Sequence, residues 1–144
     1  MYQNTSLASY RQISLETAPP GDLVLMLYDG LVKFLSQARS GFELEDPLER
    51  NQTIHNNTLK ALDILNELTV TLDMEQGGQL AETLRDLYLY MRDRLQQSNV
   101  KKESAGIDEV IERITVVRDA WAQMLQEQQV SGHEPEGQLA EAMA

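Results

Sequence analysis

The sequence predicts an all-α fold, an antiparallel four-helix bundle over residues 18–129 that follows a short N-terminal cap segment. Apolar residues recur at alternating spacings of three and four along most of the chain, which is typical of helices that pack in a bundle. Glycine and proline are sparse and cluster at the boundaries between these periodic stretches. No stretch has the alternating pattern of a β-strand, so the sequence favours helices throughout.

The first helix is predicted from the stretch TAPPGDLVLMLYDGLVKFL, which begins at Thr17. Pro19 and Pro20 suit the first turn of a helix, and the negative charge of Asp22 is favourable near a helix N-terminus. We expect the helix to extend to about Glu45. It has apolar residues on nearly every side, so it is either the central element of the bundle or carries a second apolar face for a partner.

The second helix has the clearest start signal in the chain. Asp46 is a good N-cap, Pro47 suits the first helical position, and Glu49 stands three residues after the cap. The pair Gly77–Gly78 ends the connection that follows this helix. Its predicted seam consists of Ile54, Thr58, Ala61, Leu65, Leu68 and Leu72.

The third and fourth helices are predicted from two further periodic stretches. The third extends from about Gln79 to Ser98, and the fourth from about Ala105 to Gln129. Trp121 lies near the end of the fourth seam, so we expect its ring in the core near the first helix. The predicted seams are Leu80, Leu84, Leu87, Met91 and Leu95 in the third helix and Ile107, Val110, Ile114, Val117, Trp121 and Met124 in the fourth.

The two ends of the chain carry too little apolar surface to fold alone. Residues 1–17 contain isolated apolar residues, among them Leu7 and Tyr10, whose spacing of three fits a short helix with one apolar side. This segment is the predicted cap. Residues 130–144 are rich in Gly, Pro and Glu, a composition that predicts a disordered acidic tail.

Composition and motifs argue against several classes of function. A net charge of −11 opposes binding to nucleic-acid phosphates, which requires an excess of Lys and Arg. The chain has no cysteine, and His55 has neither a histidine nor a carboxylate four residues away, so no metal or other cofactor is expected. No nucleophile motif or phosphate-binding loop occurs, so an enzyme is not expected. No apolar run has the ~20 residues that span a bilayer and no signal-peptide pattern is present, so a cytosolic protein without membrane insertion is expected.

The second, third and fourth helices carry more apolar residues than one seam requires. The additional residues are Leu59, Leu62, Ile64, Val70, Tyr88, Leu89, Tyr90, Ile111, Val116 and Leu125. A wide core face, with about three apolar positions in seven, accounts for most of them. An exposed groove for an amphipathic partner accounts for the remainder. The candidate groove residues are Leu62, Leu65, Tyr88, Met91 and Ile111.

Several short blocks of sequence carry a family resemblance that extends from Tyr10 to about Trp121. They include LMLYDG at residues 25–30, LDMEQGG at residues 72–78 and LYLYM at residues 87–91, followed by RDAW, which ends at Trp121. In this order and spacing the blocks resemble the flagellin-specific export chaperones of bacteria, the FliS family. The start of the first helix departs from that pattern, because PPGD at residues 19–22 replaces the usual Ser/Thr-Pro-Glu.

The resemblance implies a cytoplasmic, non-enzymatic bundle that binds the disordered C-terminal segment of flagellin. Such a protein prevents early polymerisation and delivers flagellin to the flagellar type III export gate. It also implies that residues 1–17 form a cap over the empty groove, with Leu7 and Tyr10 used again in handover to the gate. A generic helical adaptor or dimerisation module, which uses its excess apolar residues to form a homodimer, is the alternative.

Overall fold

A computed structural model describes residues 20–131, which form four α-helices and no strand. The helices are α1 (Pro20–Gly41), α2 (Pro47–Val70), α3 (Gly78–Lys101) and α4 (Ala105–Ser131). The predicted all-α bundle is therefore confirmed. The predicted cap at residues 1–17 and nearly all of the predicted tail lie outside the described residues.

The helices form a ring in which each one packs against two neighbours. α1 packs against α2 and α4, and α3 packs against the same two helices from the other side. The contacts between α1 and α4 show that these helices are antiparallel. Arg39 near the end of α1 is 3.8 Å from Asp108 at the start of α4, whereas Gly21 at the start of α1 accepts a hydrogen bond from Trp121 in the second half of α4.

Short-range hydrogen bonds explain where α2 and α3 begin and end. The carboxylate of Asp46 accepts a hydrogen bond from the backbone N–H of Glu49 at 2.8 Å, and Pro47 occupies the first turn. The predicted cap of α2 is therefore confirmed. Lys102 ends α3 in the left-handed conformation, with a φ of 53°, and its N–H donates to the carbonyl of Ser98.

The first helix is shorter than the sequence predicts. It ends at Gly41, not at Glu45, and the next residues form tight turns, in which the N–H of Phe42 donates to the carbonyl of Arg39. Gly41 packs directly on α2, where an added Cβ would lie 3.2 Å from Ile54. The chain therefore turns toward α2 at the point where the two helices touch.

A hydrogen-bonded pair of tyrosines lies in the core. The hydroxyls of Tyr28 on α1 and Tyr88 on α3 lie 2.7 Å apart, so the pair joins two helices across the centre of the ring. Burial raises the pKa of Tyr28 to about 12 and also raises the pKa of Tyr88. Both hydroxyls therefore stay protonated at neutral pH, and each side chain is buried without an unsatisfied polar group.

Trp121 lies where the sequence places it, in the core beside the first helix. Its side chain is 5% exposed. The ring packs edge-on against Tyr28, with centroids 6.4 Å apart. Its indole N–H donates to the carbonyl of Gly21 at 2.8 Å, which satisfies the single polar atom of the ring.

The seam of α3 differs from the predicted one. The predicted positions Leu80 and Leu87 are only partly buried, and Ala81 and Tyr88 occupy the core in their place. Both sets have spacings of three and four, so periodicity alone does not separate them. Tyr88 reaches the core because Tyr28 provides a partner for its hydroxyl, and this rotation turns Leu87 toward α4.

Thr58 has a buried, unsatisfied hydroxyl, and we predict that its replacement by valine stabilises the protein. Its side chain is fully buried on α2, and its hydroxyl has no hydrogen-bond partner among residues 20–131. Because Thr58→Val removes an unsatisfied polar atom, we expect the free energy of unfolding to rise by about 1 kcal/mol. Urea unfolding measures this change.

The matched control for this prediction is Thr69→Val on the same helix. The hydroxyl of Thr69 donates to the carbonyl of Leu65 at 2.7 Å. Thr69→Val therefore loses a hydrogen bond and removes no unsatisfied polar atom, so we expect no increase in stability. A lower stability for Thr58→Val than for the parent protein would contradict the prediction.

Candidate partner-binding site

Three of the predicted groove residues lie in the core. Leu65 and Tyr88 are 1% exposed and Met91 is fully buried. The expectation that they line an accessible groove is therefore corrected. Leu65 and Met91 belong to the seams that close the bundle, and Tyr88 joins them through its hydrogen bond to Tyr28.

Leu62 is half-buried and lies on the side of α2 that faces α3. It stands two helical turns after His55, so the two side chains share one side of the helix. The ring nitrogen Nδ1 of His55 is 2.9 Å from the side-chain amide of Asn99 on α3. This contact identifies the side of the bundle on which Leu62 lies.

Ile111 is also half-buried, but it lies on a different side of the bundle. It stands two turns before Arg118, whose guanidinium donates to the carboxylate of Asp29 on α1 at 2.7 Å. Ile111 therefore faces α1, and the structure does not bring it together with Leu62. Leu7 and Tyr10 fall outside the described residues, and their role stays a prediction.

An open groove instead runs between α3 and α4. Its apolar lining comes from Leu87 on α3 and from Val116 and Val117 on α4. Val116 is 67% exposed, whereas Leu87 and Val117 are partly buried against the core. We call this feature the α3–α4 groove. Its floor is continuous with the core, and its rim presents an apolar side chain to an incoming partner.

The apolar surface continues beyond these three residues. Leu80 stands two turns before Leu87 on α3, and Met124 stands two turns after Val117 on α4; both are partly buried against the core. Two turns of a helix rise ~10 Å. The strip is therefore long enough to contact two or more turns of a partner helix. Such a helix would place its apolar residues at spacings of three and four.

A polar network lies at the end of the groove opposite Leu80 and Met124. The carboxylate of Glu109 accepts hydrogen bonds from the hydroxyl of Tyr90 at 2.6 Å and from the guanidinium groups of Arg94 and Arg113 at 2.7 and 2.8 Å. The guanidinium of Arg113 also lies 5.2 Å from the centre of the Tyr90 ring. These contacts hold the side chain of Tyr90 beside the groove.

The charge of this network is fixed near neutral pH. The hydrogen bond from Tyr90, followed by those from Arg94 and Arg113, lowers the pKa of Glu109 to about 2. The same hydrogen bond raises the pKa of Tyr90. Glu109 therefore stays ionised and Tyr90 stays protonated at physiological pH, so pH changes in this range do not open the network.

Residues 20–131 hold no group of three or more His, Asp or Glu side chains that is placed to bind a metal ion. None of the four helices has the length and apolar character needed to cross a membrane.

The sequence contained a signal for the groove. Val116 and Tyr90 are among the apolar residues in excess of one seam, and both remain exposed in the structure, at 67% and 42%. Leu87 and Val117 were missed because they fit the predicted seams. Which excess residues line one groove depends on the rotation of α3 and α4 about their axes.

The described residues form an all-α bundle with an open apolar groove, and comparison with known proteins gives its family. The profile of the family described as "Flagellar protein FliS" matches residues 2–128. The chain therefore belongs to the FliS family, which is a family of flagellar secretion chaperones and not of enzymes.

Relatives from several bacteria agree with this family. The chain is 37% identical to the flagellar secretion chaperone FliS of Bacillus subtilis (strain 168), over 87% of this chain and 90% of the relative. It is 34% identical to the flagellar secretion chaperone FliS of Salmonella typhimurium, over 86% of this chain and 93% of the relative. The matches therefore span nearly the whole length of both relatives.

Proposed function

We propose that this chaperone binds the C-terminal segment of flagellin as an amphipathic helix in the α3–α4 groove. It thereby keeps flagellin from polymerising early and delivers it to the flagellar type III export gate. The resemblance to flagellin-specific chaperones supports the identity of the cargo. The observation that supports the location is the exposed Val116 above a floor of Leu87 and Val117.

The apolar character of the groove matches the energetic demand of such cargo. A disordered segment loses conformational entropy when it folds on a partner, so the contact must bury a large apolar area. Each large apolar side chain that leaves water contributes ~1.5–3 kcal/mol. In the strip, Val116 is largely exposed and provides such a contact, whereas Leu80, Leu87, Val117 and Met124 are already partly buried and each contribute less.

The direct test is a binding experiment with purified flagellin that carries or lacks its last ~40 residues, a length that spans ~60 Å as a helix and can reach around a small domain. We expect a monomeric protein that forms a 1:1 complex only with intact flagellin. A stable homodimer that ignores flagellin would contradict the proposal and favour the alternative of a dimerisation module.

We also predict that the N-terminal segment competes with cargo. Its apolar anchors Leu7 and Tyr10 are few, so the cap docks weakly and leaves when flagellin binds. Deletion of residues 1–15 should leave the melting temperature nearly unchanged and should not weaken flagellin binding. Hydrogen exchange provides the second readout: strong protection of residues 1–15 in the free protein would contradict the cap.

A further inference from the structure

The sequence that follows α4 has two parts of different composition. Residues 132–137 read GHEPEG, and their two glycines and one proline interrupt helices. Residues 138–144 read QLAEAMA, in which every residue is a strong helix former. Leu139 and Met143 stand four residues apart, so they share one side of a helix of about two turns. A short link therefore joins α4 to a stretch with one apolar side.

Such a stretch needs an apolar surface, because a helix of about two turns is not stable alone in water. The α3–α4 groove provides a surface of this kind close to the end of α4. Leu80 on α3 and Met124 on α4 are partly buried there, and Ala120, one turn before Met124, is exposed. We call this part of the groove, which is made by Leu80, Val117, Ala120 and Met124, its Leu80 end.

The link is long enough to bring the stretch to this surface. Met124 lies seven residues before Ser131, which is ~10 Å along α4. From Ser131 to Leu139 the extended chain spans up to ~26 Å, so it can reverse direction and still reach Met124. Gly132 follows α4 directly, where a glycine commonly lets the chain turn back.

We propose that residues 138–144 dock on the Leu80 end of the α3–α4 groove and compete there with cargo. Leu139 contacts Met124, and Met143, one turn further along the groove, contacts Ala120. The tail is thus an internal competitor that cargo displaces. The competition rests on the proposed function, because it requires cargo in this groove, whereas the contact of the tail with the groove does not.

The energetics of this contact suit a competitor that is displaced easily. Two apolar side chains on a surface that is already partly buried make a weak contact. The link nevertheless holds the stretch near the groove at a local concentration of the order of millimolar. The groove is therefore closed in a fraction of the molecules, and the apparent affinity for cargo is reduced by that fraction. Cargo that makes more apolar contacts displaces the tail.

A nitroxide on the tail tests the contact in the absence of cargo. The chain has no cysteine, so Glu141→Cys accepts a single label, on the side of the stretch opposite Leu139 and Met143. In the NMR spectrum of the full chain we expect the label to broaden amides selectively at residues 80–87 and 117–124. Equal broadening around the whole end of the bundle, as a freely moving tail produces, would overturn the contact.

Two double variants and a mixing experiment are the controls. Leu139→Asp/Met143→Asp should lose the selective broadening, whereas His133→Asp/Gln138→Asp adds two acidic side chains to the same tail and should keep it. Selective broadening that survives the loss of both apolar side chains would contradict the proposed contact. Nitroxide-labelled chains mixed with isotope-labelled chains test for docking between molecules, and selective broadening in the mixture would overturn docking within one chain.

Truncation after Ser131 links the contact to cargo. We expect the truncated chain to bind the C-terminal segment of flagellin about two- to tenfold more tightly than the full chain, since no closed population has to open. Leu139→Asp/Met143→Asp in the full chain should have the same effect, and a circular-dichroism melt confirms that each variant is folded. Weaker binding by the truncated chain would contradict the competition.

The failure of this proposal and the failure of the proposed function give different results. A tail without selective contacts overturns the present inference, while Val116→Asp still tests the cargo site by itself. A tail that contacts the Leu80 end, combined with an unchanged affinity for flagellin after truncation, would contradict the competition. That result would also count against the location of cargo in this groove.

Discussion

Substitution of Trp121 by alanine should lower the free energy of unfolding by about 3–5 kcal/mol, because it removes a large buried ring and leaves a cavity. The ring is 5% exposed and packs edge-on against Tyr28. It also holds the beginning of α1 to α4, through the hydrogen bond from the indole N–H to the carbonyl of Gly21. The variant therefore loses packing and a contact between two helices.

Urea unfolding followed by circular dichroism measures this loss, since Trp121 is the only tryptophan and its fluorescence disappears with it. Trp121→Phe is the matched control: it keeps an aromatic ring but removes the indole N–H, and we expect a smaller loss. If Trp121→Ala stays within about 1 kcal/mol of the parent protein, the ring is not part of the core.

Val116→Asp should weaken flagellin binding by tenfold or more, about 1.4 kcal/mol or above. Val116 is largely exposed in the free protein, so the new carboxylate is hydrated and the fold is preserved. When a partner helix fills the groove, the carboxylate is buried against apolar side chains, and the guanidinium of Arg113, one turn earlier, is already paired with Glu109, so the burial is costly. Isothermal titration calorimetry with the C-terminal segment of flagellin measures the effect.

Val70→Asp is the matched control for this prediction. Val70 lies at the end of α2 and is 65% exposed, close to the 67% of Val116, so the two side chains are matched in type and exposure. A carboxylate at the C-terminus of α2 lowers helix stability slightly, which a melt of the variant measures. We expect Val70→Asp to bind flagellin with the parent affinity. Equal losses in both variants would indicate a general charge effect and contradict the groove.

Local signals in the sequence predicted much of the fold. The start of α2 follows from Asp46, Pro47 and Glu49, because the cap is a hydrogen bond between residues three apart. The core position of Trp121 follows from its place in an apolar seam. In both cases the determining interaction is either within one turn or set by the periodicity of a single helix.

The groove was less predictable because it depends on how neighbouring helices are rotated. Tyr88 and Leu87 are adjacent and both apolar, and the choice of Tyr88 for the core rests on a hydroxyl 60 residues away on Tyr28. Once Tyr88 is buried, Leu87 turns to α4 and joins Val116 at the surface. The spacing of apolar residues within α3 therefore does not show whether Leu87 or Tyr88 is buried.

The same structure shows what the family-like sequence blocks do. In the LMLYDG block, Tyr28 bonds to Tyr88 and Asp29 pairs with Arg118 at 2.7 Å. In the same block, Gly30 lies against α2, where an added Cβ would be 3.1 Å from Ile64. These residues hold helices together, so the resemblance identifies the bundle more directly than it identifies the groove.

The central claim, that cargo lies in the α3–α4 groove, is tested most directly with a dye at Val116. The chain has no cysteine, so Val116→Cys and the control Val70→Cys each accept one environment-sensitive fluorophore. We predict that the C-terminal segment of flagellin shifts the emission to the blue at position 116, saturates at a 1:1 ratio and leaves position 70 unchanged. An unchanged emission at position 116, while calorimetry shows that the segment binds the labelled protein, would contradict the claim.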